Sequence, residues 1–171
     1  MFDILFVFLI FIIISQLGKG SFADVYLGTD KEKQSDVAIK LVVKGRIFNR
    51  ADRVGLKQEI EILQKLDHGN IIRLHRVFDE PNYCYLITEL MEGGNLFDKL
   101  KKKKCFSEKD ARVISKTLFE TMDYCHGQKI AHRDLKPQNV LLKVRLKTNH
   151  LSYCINVFQL WILLLVFVIF C

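Results

Sequence analysis

No Asp or Glu follows Asp134 in this chain of 171 residues, which holds 19 acidic residues in all. That excludes a carboxylate metal ligand, or a carboxylate acid or base, from residues 135–171. Charge of either sign is also scarce at both ends. Residues 1–15, "MFDILFVFLIFIIIS", carry Asp3 alone, and residues 151–171, "LSYCINVFQLWILLLVFVIFC", carry none. Neither run supplies the about 20 uninterrupted apolar residues of a spanning helix: Ile4–Ile14 is too short, and Asn156 and Gln159 break the second. The first run also lacks the basic stretch and small-residue cleavage site of a secretory signal. Five cysteines form no CxxC pair and no metal-ligand spacing, so reduced thiols of a cytosolic protein are expected. The net charge of +7 comes partly from one run, Lys101–Lys104. That run lacks the interleaved aromatics of a nucleic-acid groove, so it is expected to be a solvated loop with no nucleic-acid partner.

Between the ends, residues 16–143 hold all the charge except Asp3, Arg145 and Lys147. "LGKGSFADV" places Gly18 and Gly20 in a G-x-G turn between β-type residues. Glycines let a hairpin tip lie flat on a ligand with its N–H groups turned to phosphate. A dinucleotide fold would place a helix directly after them, whereas "DVYLGT" continues as a strand. "FIIIS" before the glycines is β-branched and predicts the preceding strand. "DVAIK" delivers Lys40 from a further strand. In "VGLKQEIEILQKLDHGNIIRL", Leu56, Ile60, Leu63 and Leu66 recur at helical spacing, with Glu59 and Glu61 as its acidic candidates. "NIIRLHRVF" and "YCYLITEL" read as two strands around a Pro-Asn turn at 81–82. "FSEKDARVISKTLFETMDYCHGQ" predicts a helix capped by Ser107 with Asp110, closed by Gly127, with an apolar face of Ala111, Ile114, Leu118, Met122 and Cys125. "AHRDLKPQNVLL" crowds polar side chains into a loop between two short apolar strands. There Asp134, with Asn139 five positions on, can set a base beside a metal ligand.

Taken in order, G-x-G-x-F, V-A-I-K, a helix Glu and H-R-D-L-K-P-x-N resemble the protein kinase family. The steps are 22 residues from Gly18 to Lys40, 19 more to Glu59, 75 more to Asp134 and five to Asn139. Lys136 in "HRDLKPQN" is similar to the serine/threonine type. "EIEILQKLDHGNIIRL", "YLITELMEGGNLFDKL" and "FSEKDAR" are most similar to the calcium/calmodulin-dependent and calcium-dependent group. No EF-hand loop is present, so calcium or calmodulin control is not implied for this chain.

The resemblance implies an α+β fold: an antiparallel β-rich lobe with one helix, then the beginning of a helical lobe. It implies an ATP-binding protein kinase that moves the γ-phosphate of ATP to Ser or Thr hydroxyls of a protein substrate, with ATP and Mg²⁺ as cofactors. By the same resemblance, Gly18, Gly20 and Ser21 would cover the phosphates, and Leu17, Val25 and Ala38 would line the adenine. Lys40 would bind the α- and β-phosphates and be held by Glu59, whose spacing to "HGN" favours it over Glu61. Thr88 would close the back of the pocket, while Glu89 and Met91 would offer hinge backbone groups. Asp134 would take the substrate proton, Lys136 would steady the transferred phosphate, and Asn139 would hold one Mg²⁺.

The chain also departs from the family pattern. Ala23 replaces the third glycine, Gly69 the Pro of "HPN", and Asn95 an acidic ribose contact. D-F-G is expected about a dozen residues after Asn139, where Ser152 stands near the Asp position. Three segments are therefore expected: an apolar end at 1–15, a partial kinase domain at 16–143 and a non-kinase apolar tail at 144–171. Val144-Arg145 can be encoded GTAAGA, like a splice donor. "LFVFLIFIIISQ" can be encoded by a T-rich tract ending in CAG, like an acceptor. Both tails are therefore expected to be translated intron. The other reading is an inactive nucleotide-binding pseudokinase or membrane-anchored fragment. A cytoplasmic location is expected, with membrane association through the C-terminal apolar segment as the less favoured alternative.

Overall fold

The computed structural model describes residues 4–132, 134–144 and 151–155. The fold is α+β. The first apolar run divides into a helix, α1 (Ile4–Ile10), and a strand, β1 (Phe11–Lys19). The change of type falls where "FIII" begins, since β-branched side chains fit a pleated surface better than a helix. With β2 (Ala23–Asp30), β3 (Ser35–Val43), β4 (Leu74–Asp79) and β5 (Tyr83–Glu89), β1 builds a five-stranded antiparallel sheet in the order β1-β2-β3-β5-β4. Between β3 and β4 runs α2 (Arg50–Lys65), whose first turn is held by the Asn49 side chain accepting from the Asp52 N–H at 2.6 Å.

Alternation along the strands gives the sheet two apolar faces. On one, Val37, Ile39, Tyr85 and Ile87 are buried beneath Val7 and Phe11 of the N-terminal run. Phe11 meets Phe78 edge to face, ring centres 6.2 Å apart. On the other, Val42, Cys84 and Leu86 pack against Leu63 and Leu66 at the end of α2, and against Ile71, Ile72, Cys125 and Cys154. The side chains of Leu56 and Ile60 are partly buried against the same cluster.

Beyond the sheet come α3 (Leu96–Lys103), α4 (Glu108–Gly127) and a hairpin of β6 (Val140–Val144) with β7 (Leu151–Ile155). Ser107 caps α4 as expected, its Oγ accepting from the Asp110 N–H at 3.1 Å. Gly127 does not cap the far end. It lies within α4, the cap is Gln128, and Lys129 takes the left-handed conformation (φ 60°) instead. On the expected apolar face Ile114 and Cys125 are buried, Leu118 and Met122 are half-buried, and Ala111 is exposed. The fully buried Thr121 joins that face, its hydroxyl donating to the Thr117 carbonyl at 2.7 Å.

The hairpin positions the loop that precedes it. The Ile155 N–H donates to the Asn70 carbonyl at 2.7 Å, and the Ile72 N–H to the Ile155 carbonyl at 3.3 Å. The segment directly after α2 thereby docks the end of β7. Ser152 is no stand-in for a D-F-G aspartate, because it lies mid-strand in β7 opposite Lys143. The strand runs on to Ile155, opposite Val140, so its end rather than Ser152 comes level with the loop. Residues 156–171, on which the membrane expectation rests, fall outside the described residues. Among the described residues no helix is long and apolar enough to cross a membrane.

Candidate active site

Lys40 reaches the site from β3, opposite Val25 of β2 and Leu86 of β5. Directly opposed residues of an antiparallel pair share a face, so Ala38, opposite Leu27 and Thr88, lies on the same side as Lys40. Glu59 approaches from the middle of α2. Its side chain is 3% exposed, with Oε1 3.7 Å from Lys40 Nζ, an ion pair longer than a hydrogen bond. Burial pushes the Glu59 carboxyl up to about 7, against the pull of Lys40. Burial likewise lowers Lys40, while Glu59 raises it. Glu61, the other candidate on α2, is not in the described ion pair.

The glycine turn closes the site from above. The Gly20 N–H donates to the Ala23 carbonyl at 2.8 Å, and the Val43 N–H to the Phe22 carbonyl at 3.1 Å. At Gly18 a Cβ would meet nothing within 4 Å, so internal packing does not require glycine there. Beneath lies the loop of "HRDLKPQN". His132 is buried at its start, and its carbonyl accepts from the Asp134 N–H at 2.8 Å, turning the chain sharply. Asn139, also buried, donates its amide to the Asp134 carbonyl at 2.7 Å and to Asp134 Oδ2 at 3.0 Å. Lys136 Nζ stands 3.0 Å from the same Oδ2. The segment before this loop is irregular rather than a strand, so only its downstream flank, β6, matches the expectation.

These parts surround a cleft of about 700 Å³. It brings together Gly18, Gly20, Ser21, Val25, Lys40, Glu59, Lys136 and Asn139, all expected from the sequence. Lys19, Phe22, Ala23, Val42, Ile47, Asp52, Leu56 and Gln138 line it as well and were not foreseen. Ala23 and Val42 stand two residues from Val25 and Lys40, so period-2 alternation was a signal for both. No comparable signal marked Ile47, which sits where the chain turns from β3 into α2.

Other expected residues lie beside the cleft rather than on its wall. Leu17 is the extra residue of a β-bulge between Gln16 and Gly18 and is 52% exposed. Thr88 is buried, its hydroxyl donating at 3.3 Å to the Glu89 carbonyl. Glu89 ends β5 and Met91 follows, half-buried against the core. Asp134 is held just behind Lys136 and Asn139. Asn95 caps α3: its Oδ1 accepts from the Asp98 N–H at 2.9 Å and its Nδ2 donates to Asp98 Oδ2 at 2.8 Å.

The protein kinase domain family matches residues 11–152. The chain belongs to the protein kinase family. The match takes in β1 whole and the first residues of β7, reaching a little beyond 16–143 at each end. Among curated relatives, Myosin light chain kinase A of Dictyostelium discoideum is 44% identical over 145 residues, 85% of this chain and 48% of that protein. Calcium-dependent protein kinase 4 of Plasmodium falciparum is 41% identical over 133 residues, 78% of this chain and 25% of that protein. A second relative from that organism, Calcium-dependent protein kinase 5, is 44% identical over 126 residues, 74% of this chain and 22% of that protein. This kinase chain therefore spans less than half the length of these relatives. Its kinship is with serine/threonine kinases.

Proposed function

We propose that the cleft binds ATP, and that the chain is the nucleotide-binding part of an enzyme that phosphorylates Ser or Thr hydroxyls of a protein substrate. The observation that carries this reading is the Lys40–Glu59 ion pair, buried beneath a glycine turn and facing a second lysine, Lys136, across the cleft. Three cations, Lys19, Lys40 and Lys136, line one cavity with the open surface of Gly18. A polyphosphate supplies the matching negative charge in a partly desolvated space, where attraction is stronger than in water.

In this reading Gly18, Gly20 and Ser21 cover the phosphates, and Lys40 pairs with α- and β-phosphate oxygens while Glu59 fixes its ammonium. Val25 and Ala38 offer apolar surface to adenine from the sheet, with Leu17 at the rim. Thr88 closes the rear, and Glu89 and Met91 supply backbone groups. In the complete reaction the substrate hydroxyl oxygen bonds to the γ-phosphorus, the bond to the ADP oxygen breaks, and the hydroxyl proton passes to Asp134. Asn139 and Lys136 hold the Asp134 carboxylate by Oδ2, and Lys136 also steadies the phosphate being moved.

The residues fit a nucleotide but not a complete Mg²⁺ site. Asn139 is the one ligand that the resemblance assigns, and residues 135–171 contain no carboxylate. Among the described residues no three His, Cys, Asp or Glu side chains cluster to hold a metal. Mg²⁺ would supply charge neutralisation between the β- and γ-phosphates. Without its main carboxylate, binding is expected of this chain and efficient transfer is not.

An acyl phosphate ester of ATP tests the reading, because it transfers its acyl group to a lysine amine lying against the phosphates. Acylation of Lys40, read by peptide mass spectrometry and blocked by ADP, is the expected result. Labelling that spares Lys40, or that ADP does not block, would overturn the assignment.

A further inference from the structure

The segment that leaves β5 is pinned to β6 at two separate points. At its far end the Gly93 N–H donates to the Leu142 carbonyl at 2.8 Å, and the Leu142 N–H to the Gly94 carbonyl at 2.9 Å. The backbones approach so closely that a Cβ on Gly93 would lie 2.5 Å from the Leu142 oxygen. At its near end the link is made by side chains. Glu89 Oε2 accepts from Lys143 Nζ at 2.7 Å, while Oε1 accepts from the Arg73 N–H at 2.9 Å. The Glu89 carboxylate is thus shared between β6 and the start of β4. Glu89 is 18% exposed and Lys143 45%, so the pair is screened from the lysine side only. Meanwhile β6 begins at Val140, directly after Asn139 of the catalytic loop. A charge four residues past Asn139 is therefore tied to the residue that ends β5, an interior strand of the sheet.

We propose that Glu89 and Lys143 form a strut that fixes the distance between the adenine-side segment 89–95 and the loop carrying Asp134 and Asn139. Both are positioning residues in this role, since the strut acts through β6 and not on the phosphates. Residue 89 is itself held in the sheet, opposite Val37 of β3 and with its N–H donating to the Arg73 carbonyl at 3.0 Å. Its carboxylate therefore ties β6 to the sheet, whereas the bonds at 93–94 tie β6 only to the segment beyond β5. The strut is a property of the fold, and only its effect on affinity rests on the cleft being a nucleotide site.

Hydrogen exchange and ligand binding on the full chain test it together, with Glu89→Gln, Lys143→Met and the double variant. Glu89→Gln removes the charge, keeps an acceptor for Arg73 and is nearly isosteric, so it decides the matter even if Lys143→Met fails to fold. Exchange at residues 90–95 and 139–142 should rise about threefold to tenfold in either single variant, the size of a moderate ion pair. The double variant should be no worse than the singles, because both remove one link. Adenosine affinity should fall by about the same factor, and inorganic tripolyphosphate affinity should not change. Unchanged exchange in those two segments, or effects that multiply in the double variant, would overturn the strut. A wild-type chain that binds no adenosine would refute the nucleotide reading instead, while the exchange result still decides the strut.

Discussion

Replacing Glu59 by Gln perturbs the most heavily buried charge of the site and gives a calculable change in stability with pH. The carboxyl is raised from 4.5 to about 7 in the folded chain, chiefly by burial. A tenfold change in proton affinity corresponds to about 1.4 kcal/mol, so the ionised state costs up to about 3 kcal/mol relative to the unfolded chain. The sign follows from proton uptake. Between pH 4.5 and 7 the folded chain holds a proton that the unfolded chain has released. Stability from this group is therefore full below 4.5, falls as pH rises through 7, and is level above. His75 lies in the same window but is lowered by burial, so it works in the opposite direction. The assay is accordingly a difference: urea midpoints of wild type and Glu59→Gln at pH 5, 6, 7 and 8. The wild type should lose up to about 3 kcal/mol relative to the variant between pH 5 and 8. Parallel curves for the two proteins would refute the claim that Glu59 is desolvated beside Lys40.

Four further outcomes follow from the geometry. Gly93→Ala should cost about 1–3 kcal/mol by urea denaturation, because its Cβ would strike the Leu142 backbone, which cannot yield as a side-chain tip can. Gly18→Ala should leave that midpoint unchanged and weaken ATP binding, since only a ligand would meet the added methyl. Asn95→Asp should keep the Oδ1 cap of α3 but exchange the Nδ2 bond to Asp98 for carboxylate repulsion, lowering the urea midpoint, and should tighten ATP relative to 2′-deoxy-ATP, measured by competition, because a carboxylate accepts from a ribose hydroxyl. Purified chain with ATP and Mg²⁺ should label a basic peptide with radioactive phosphate no more than Asp134→Asn does; incorporation above that control would refute the need for a carboxylate after Asn139.

Much of the fold was legible because its signals are periodic. The spacing of Leu56, Ile60 and Leu63 gave α2, Ser107 gave the start of α4, and alternation in "DVAIK" put Lys40 on one face of a strand. The Lys40–Glu59 pair was legible only through the family's spacing, since helical position alone left Glu59 and Glu61 equal. What the pattern concealed depends on geometry that a string does not carry. The β-branched residues of "FIIIS" marked the strand that begins at Phe11, but the helix before it was not foreseen, because "ILFVFLI" carries no helical period. The bulge that expels Leu17 is a pairing irregularity between two strands. Gly127 offered a glycine where a cap was expected, yet the left-handed turn fell on Lys129. Counting from Asn139 put Ser152 near the expected Asp position, and the hairpin register sets it three residues short of the end of β7. The close passage of Gly93 over β6 joins residues some fifty positions apart, beyond any local signal.

The most direct test of the central claim is isothermal titration of ATP into the full chain in the presence of a chelator, repeated with Lys40→Met and Asp134→Asn. The account predicts saturable binding without metal, weakened at least about tenfold by Lys40→Met, which is about 1.4 kcal/mol, and little changed by Asp134→Asn. No binding by the wild type, or equal binding by Lys40→Met, would contradict the reading of the cleft as a nucleotide site built around Lys40 and Glu59.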